Sequence, residues 1–260
     1  MSDWDDVTSL RRRGETGVFD ADLHPGWAIV GKPNGGYTLA ILARAACEVV
    51  EAAHPLAISA HYLRAPSPGP VEVHAEAIRR GRRVSTARAA LWEDGKPCIE
   101  ALVTCGDLVA DPVIEWDAIP APPMPPPEEC PAGSNPHFHV ELFDHAELRV
   151  DPATAPFPQA SGEPAVRFWF RLRDGTEPDV RTLLLAADAG PPTVFNLEKY
   201  GWAPTVELTV LVRGIPAPGW LLVATEAQFV SGGWFDEQAF VWDSTGRLVA
   251  QARQLALIGT

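Results

Sequence analysis

Asn34-Gly35-Gly36-Tyr37-Thr38-Leu39-Ala40-Ile41-Leu42-Ala43-Arg44-Ala45-Ala46-Cys47-Glu48-Val49-Val50-Glu51 reads as a loop that turns into a helix. Leu39, Leu42, Ala46 and Val49 or Val50 recur at helical spacing, and only Arg44 interrupts the apolar run before Glu48. A helix this apolar is buried on most of its surface, so something must wrap it. The strand-rich remainder of the chain is the wrapping.

With 260 residues, 46% of them hydrophobic, the chain can build one large core or two smaller ones. A formal net charge of −13 excludes the basic, phosphate-tracking surface of a nucleic-acid binder. No apolar run approaches the ~20 residues of a membrane helix. The start, Met-Ser-Asp-Trp-Asp-Asp, lacks the basic and apolar regions of a signal peptide, so a cytoplasmic protein is expected. Cys47, Cys98, Cys105 and Cys130 form no Cys-x-x-Cys pair and read as small core residues in a reducing compartment.

Taken in order, Gly17–Leu23 alternates as a strand and ends at His24-Pro25-Gly26. After the helix, strands are predicted at Ile58–Leu63, Val71–Ile78, Val84–Trp92 and Pro97–Leu108, separated by Pro- and Gly-containing turns. One long helix with an antiparallel meander is an α+β unit. Asp111–Pro136 contains Pro-Ala-Pro-Pro-Met-Pro-Pro-Pro and reads as an extended linker. Domains are therefore expected at 1–110 and 137–260, with 111–136 between them. In the second, strands are predicted at Val140–Val150, Val166–Arg173, Val206–Val212, Leu221–Val230, Gln238–Asp243 and Leu248–Ile258, with a helix over Asp179–Ala189.

The halves repeat at a spacing of roughly 150 residues. Ala60-His61-Tyr62-Leu63-Arg64 matches Thr209-Val210-Leu211-Val212-Arg213, and Trp92-Glu93-Asp94-Gly95 matches Trp242-Asp243-Ser244-Thr245-Gly246. Tyr37–Arg44 lies over Arg181–Asp188.

Several segments in order carry a family resemblance: Gly35-Gly36 opening the helix, Ser59-Ala60-His61-Tyr62-Leu63-Arg64-Ala65-Pro66, Arg79–Arg88, and Asp94-Gly95-Lys96-Pro97. The second half matches more loosely, through Ala186-Ala187-Asp188 and the closing segment that ends at Gln254. On these residues the chain resembles the acyl-CoA thioesterase II-like family. The resemblance implies an α+β double hotdog fold, two tandem units each wrapping a sheet around a helix. It also implies acyl-CoA as substrate, no cofactor, and a hydrolytic site of an Asp, a Thr or Ser and a Gln. The matching positions are Asp188, Thr205 and Gln254, with Thr209 competing for the hydroxyl. Hydrolysis in lipid metabolism is the expected role. Two fused hotdogs satisfy their own pairing, while exposed outer faces leave room for a homo-oligomer.

The repeat points to the same residues without the family. Aligned internally, Asp188 stands over Arg44 and Gln254 over Val103, so the second half carries an acid and an amide at positions aimed toward a core. Buried polar groups need a reason. The functional reading is an oriented water, with Asp188 as general base or as nucleophile; the plain reading is an Asp facing solvent at a helix end. Gly35-Gly36 is either loop punctuation or a helix start whose Gly36 and Tyr37 N–H groups receive a developing oxyanion, with Asn34 as cap. Arg79, Arg80, Arg82 and Arg83 crowd one turn and are candidates for CoA phosphates or for a solvated hairpin tip. His137 and His139 share a predicted strand face without a third ligand, so no metal site is expected. Ser161-Gly162 and Ser231-Gly232 lack the flanking glycine of a nucleophile elbow. Two competing functions remain: a hotdog hydratase, for which only Asp20 and His24 offer an acid and a histidine, and a non-catalytic acyl-thioester binder.

Overall fold

The computed structural model describes residues 3–133 and 139–259. In the first half, α1 (Asp3–Val7), β1 (Arg11–Arg12) and β2 (Val18–Leu23) precede a short ribbon, β3 (Ala28–Ile29) with β4 (Lys32–Pro33). Then come α2 (Gly35–Val50), β5 (His54–Tyr62), β6 (Gly69–Arg79), β7 (Val84–Glu93) and β8 (Lys96–Gly106). Asn34 starts α2 by accepting the Tyr37 amide on Oδ1 at 2.9 Å, and Glu51 closes it in the left-handed conformation. Thirteen of the sixteen residues of α2 are buried, which matches its apolar run. The five-residue α1 is too short to carry a period; its Trp4 packs on Trp27 beside Tyr37, sealing the start of α2.

The second half contains β9 (Ala146–Val150), β10 (Ala165–Leu172), α3 (Val180–Ala186), β11 (Thr205–Val212), β12 (Leu221–Glu226), β13 (Val230–Ser231), β14 (Trp234–Trp242) and β15 (Leu248–Leu257). Several boundaries differ from expectation: β5 starts at His54 rather than Ile58, and the strand predicted over Leu221–Val230 ends at Glu226. The strand predicted from Val140 starts only at Ala146, because Glu141–Asp144 winds into a 3-10 turn. The helix predicted to Ala189 ends at Ala186; the Asp188 carbonyl accepts the Asn34 side-chain amide at 2.8 Å rather than an amide further along its own chain. The strand predicted from Gln238 starts at Trp234.

β5 pairs with β11, so the strands form one antiparallel sheet of order β1-β2-β6-β7-β8-β5-β11-β15-β14-β12-β10-β9, with β13 on β14. Outward from the seam, β5-β8-β7-β6-β2 is repeated by β11-β15-β14-β12-β10. Ser59 pairs directly with Thr209, and each half carries a bulge at the same place, Pro55/Ala57 and Thr205/Glu207. Each side of the seam therefore copies the other at a spacing of about 150 residues. The main core runs through both units and holds Leu39 and Ile41 of α2 together with Leu183 and Leu185 of α3. This is a double hotdog, α+β. The proline-rich stretch lies as a strap on the second half of the sheet, where Trp242 and Trp169 donate their indole N–H groups to the Ile119 and Pro125 carbonyls at 2.9 and 2.8 Å. The expected domain boundary at 136/137 and His137 lie outside the described residues.

Candidate active site

Gly36 lets the two helices meet. A Cβ on Gly36 would stand 2.4 Å from the Leu184 carbonyl oxygen and 2.8 Å from Leu185 Cα, so only glycine admits α3 at this distance. The contact brings Asp188, in the turn after α3, onto the start of α2. Asp188 Oδ2 accepts the Gly36 amide at 2.8 Å and the Asn34 side-chain amide at 3.2 Å. Asn34 is the only side chain that donates to Asp188 among the described residues. Burial pushes the Asp188 carboxyl up from its ordinary 3.8 to about 7; the Gly36 amide pulls it down, the nearby Glu237 charge raises it, and Asn34 lowers it.

A second polar group comes from the sheet. Gln254 lies on the inward face of β15 with Ala252 and Ala256, and its Oε1 accepts the Thr205 hydroxyl at 2.8 Å. The bulge decides which threonine can do this. It sets Thr205 opposite Ala256 but Glu207 opposite Leu255, which turns Thr205 inward while Thr209 points outward to Ser59 and Glu207. Gln254 Nε2 donates to Glu237 Oε1 at 2.9 Å, and the Thr193 amide donates to Glu237 Oε2 at 3.0 Å. Glu237 is close enough for its charge to be felt at Asp188. Asp188, Thr205, Gln254 and Glu237 thus share one region between α3 and the inner face of β11, β14 and β15.

Two residues of this region were not picked out from the sequence. Glu237 sits in the inward row Phe235-Glu237-Ala239-Val241, which a strand read from Gln238 leaves out. The repeat held the signal, since Glu237 occupies the place of Ala87 in the first half: Glu237 pairs with Gln254 as Ala87 pairs with Val103. The other is Tyr62, whose hydroxyl donates to the Gly35 carbonyl at 3.0 Å; burial, with the Asp188 charge, holds it well above its usual range.

Other expected residues fall elsewhere. The Gly36 and Tyr37 amides are not open donors for an oxyanion, because the first is bonded to Asp188 and the second to Asn34. Arg79, Arg80, Arg82 and Arg83 are exposed at the β6–β7 turn. Arg80 donates to the Val49 carbonyl at the far end of α2, about 20 Å along the helix from Gly36. Asp20 is paired with Arg11 and Arg13, and His24 Nδ1 accepts the Gly26 amide, so they form no acid–histidine dyad. His139 pairs with Asp144 at 2.9 Å. No helix among the described residues is long and apolar enough to cross a membrane.

A double hotdog with a buried acid of raised pKa in the same region as a Thr–Gln pair places the chain among the hotdog-fold proteins. Residues 23–106 match the model of the acyl-CoA thioesterase N-terminal domain and residues 121–258 that of the C-terminal domain. The chain belongs to the acyl-CoA thioesterase family. Protein Rv0499 of Mycobacterium tuberculosis is 34% identical, with 93% of this chain and 91% of that protein covered. The crystal structure of a candidate thioesterase II from Thermobifida fusca YX is also 34% identical and superposes with a TM-score of 0.92, covering 100% of this chain and 98% of that one. Acyl-CoA thioesterase II TesB2 of Mycobacterium marinum, at 19% identity and TM-score 0.76 over 98% of each chain, shares the fold.

Proposed function

We propose that the protein hydrolyses the thioester of an acyl-CoA, fatty or short-chain, to the free acid and CoA by direct attack of water. The observation that carries this reading is Asp188, a carboxylate with a pKa of about 7 seated on the Gly36 amide. A base poised near neutral pH combines the right protonation state with proton affinity. In this reading Asp188 takes a proton from water, Thr205 and Gln254 orient that water, and CoA leaves as a thiolate. No covalent intermediate and no cofactor are needed. The two donors on Oδ2 keep the carboxylate seated, which favours a base over a nucleophile that would form an anhydride. An oxyanion could use the Gly36 amide only by displacing Asp188, so the start of α2 acts here by setting the base. The arginines of the β6–β7 turn are the candidates for the CoA phosphates.

Thiol release from a panel of acyl-CoAs of increasing chain length tests the reading. Release of thiol with formation of the free acid is the expected result. Water addition to an enoyl-CoA without thiol release would replace the reading with a hydratase, and binding without either reaction would make the protein a carrier.

A further inference from the structure

We propose that Glu237 is a positioning residue for the hydrolytic water, fixing the direction of the Gln254 amide and, through it, of the Thr205 hydroxyl. The proposal rests on the reading of Asp188, Thr205 and Gln254 as the hydrolytic site.

Glu237 is 6% exposed and forms no ion pair among the described residues. A buried carboxylate without a cation is costly, and packing does not ask for one here, because the equivalent Ala87 is fully buried in the first half. Two N–H groups face it, the Thr193 amide on one oxygen and Gln254 Nε2 on the other.

The consequence follows from which groups can only accept. With an N–H donor on each of its two oxygens Glu237 acts only as an acceptor, so Gln254 turns its NH2 toward Glu237 and its carbonyl toward Thr205. That carbonyl also only accepts, so Thr205 must spend its single proton on it at 2.8 Å. The lone pairs of Thr205 are then left as acceptors. A water lying between Thr205 and Asp188 meets two acceptors, gives one hydrogen to each, and keeps its lone pairs free for the acyl carbon. The chemistry itself is unchanged. One proton passes from water to Asp188, a C–O bond forms, the C–S bond breaks, and the thiolate leaves with the electron pair. With Gln254 reversed, Thr205 would become a donor and tie up a water lone pair.

The ionisable groups acting on this arrangement are Asp188 beside α3, Asp236 next to Glu237 on β14, and Tyr62 on β5, which feels both Asp188 and Glu207. The Glu237 charge raises Asp188, and burial raises Glu237 itself against the pull of Thr193 and Gln254.

The test compares the full chain with Glu237→Gln, Glu237→Asp and Asp188→Asn, on the acyl-CoA the natural protein cleaves best, with pH profiles and thermal melting. Glu237→Gln no longer dictates the amide direction; kcat should fall at least about tenfold with KM changed less than about twofold. Its acid limb should move to lower pH, because a neighbouring negative charge is gone. Glu237→Asp keeps the charge but withdraws it from Gln254, so kcat should fall while the acid limb stays. A folded Glu237→Gln with unchanged kcat and acid limb overturns the proposal, even if it melts lower. Should that variant not fold, an unchanged kcat in Glu237→Asp overturns it equally. Activity that survives Asp188→Asn instead overturns the site reading itself, whereas loss there with no effect at Glu237 removes Glu237 alone.

Discussion

Replacing Gly36 by alanine should separate the two parts of the site without touching a side chain that does chemistry. The new Cβ would lie 2.4 Å from the Leu184 carbonyl oxygen, where ordinary contact begins at 3.4 Å, and both Leu184 and Leu185 present backbone there. No side chain can rotate away, so α3 must retreat from α2 by about 1 Å, an overpacking that costs about 1–3 kcal/mol. Alanine's preference for helix returns at most about 1 kcal/mol. A net loss of about 1–2 kcal/mol corresponds to a melting point lower by about 2–8 °C in a chain of this size. The larger effect is on function. Asp188 travels with α3, so its 2.8 Å bond from the Gly36 amide is stretched. A displacement of this size at a reacting group costs on the order of a hundredfold in rate. The amide favours the ionised carboxylate, so weakening it raises the Asp188 pKa, and the acid limb of kcat/KM should move to higher pH. Thiol release followed across pH, alongside a melting curve, measures all three. A folded Gly36→Ala protein with unchanged kcat/KM and an unmoved acid limb would refute the claim that the start of α2 seats the base.

Two further outcomes follow from the geometry. Thr205→Val should lower kcat about a hundredfold as an oriented donor–acceptor is lost, while Thr209→Val, on the outer face at the seam, should leave kcat within about twofold; equal losses in stopped thiol-release assays would mean that the bulge does not select the hydroxyl. Charge reversal of the exposed Arg82 and Arg83 to Glu should raise KM for CoA esters several-fold, more so at low salt, yet leave KM for a short thioester without phosphates unchanged. A common shift in both substrates, or none, would assign the turn to a solvated tip.

Local signals were legible in the sequence, and long-range ones only in part. The apolar run from Leu39 to Val50 announced a buried helix because no face of it was polar enough to meet water. The repeat placed Gln254 over Val103, and the sheet puts both at the same step beside the seam, opposite Leu208 and Ile58. Asp188 stood out as an acid in an apolar setting, but its partner amide is 152 residues away and no local pattern encodes that pairing. The oxyanion role expected of Gly36 and Tyr37 meets the same limit: a helix start offers free N–H groups only until something else binds them, and here Asp188 and Asn34 do. Glu237 was missed through a strand boundary, since an acid just ahead of a strand looks solvated and one inside its inward row does not. The choice between Thr205 and Thr209 turned on one bulge, which flips faces without changing composition.

The central claim, that Asp188 is the base of a thioester hydrolase, is tested most directly by the pH dependence of kcat/KM for thiol release in the natural protein and in Asp188→Asn. Activity should rise with pH through an apparent pKa near the value of about 7 that burial gives Asp188, and should be lost across the whole range in Asp188→Asn. Folding supplies the control. Because the folded pKa lies above the unfolded one, the contribution of Asp188 to stability is fully present below about pH 3.8 and is lost as pH rises through about 7, so the Asn variant should melt no lower than the natural protein at pH 8. An Asp188→Asn protein that is folded and still releases thiol with the same pH profile would contradict the account.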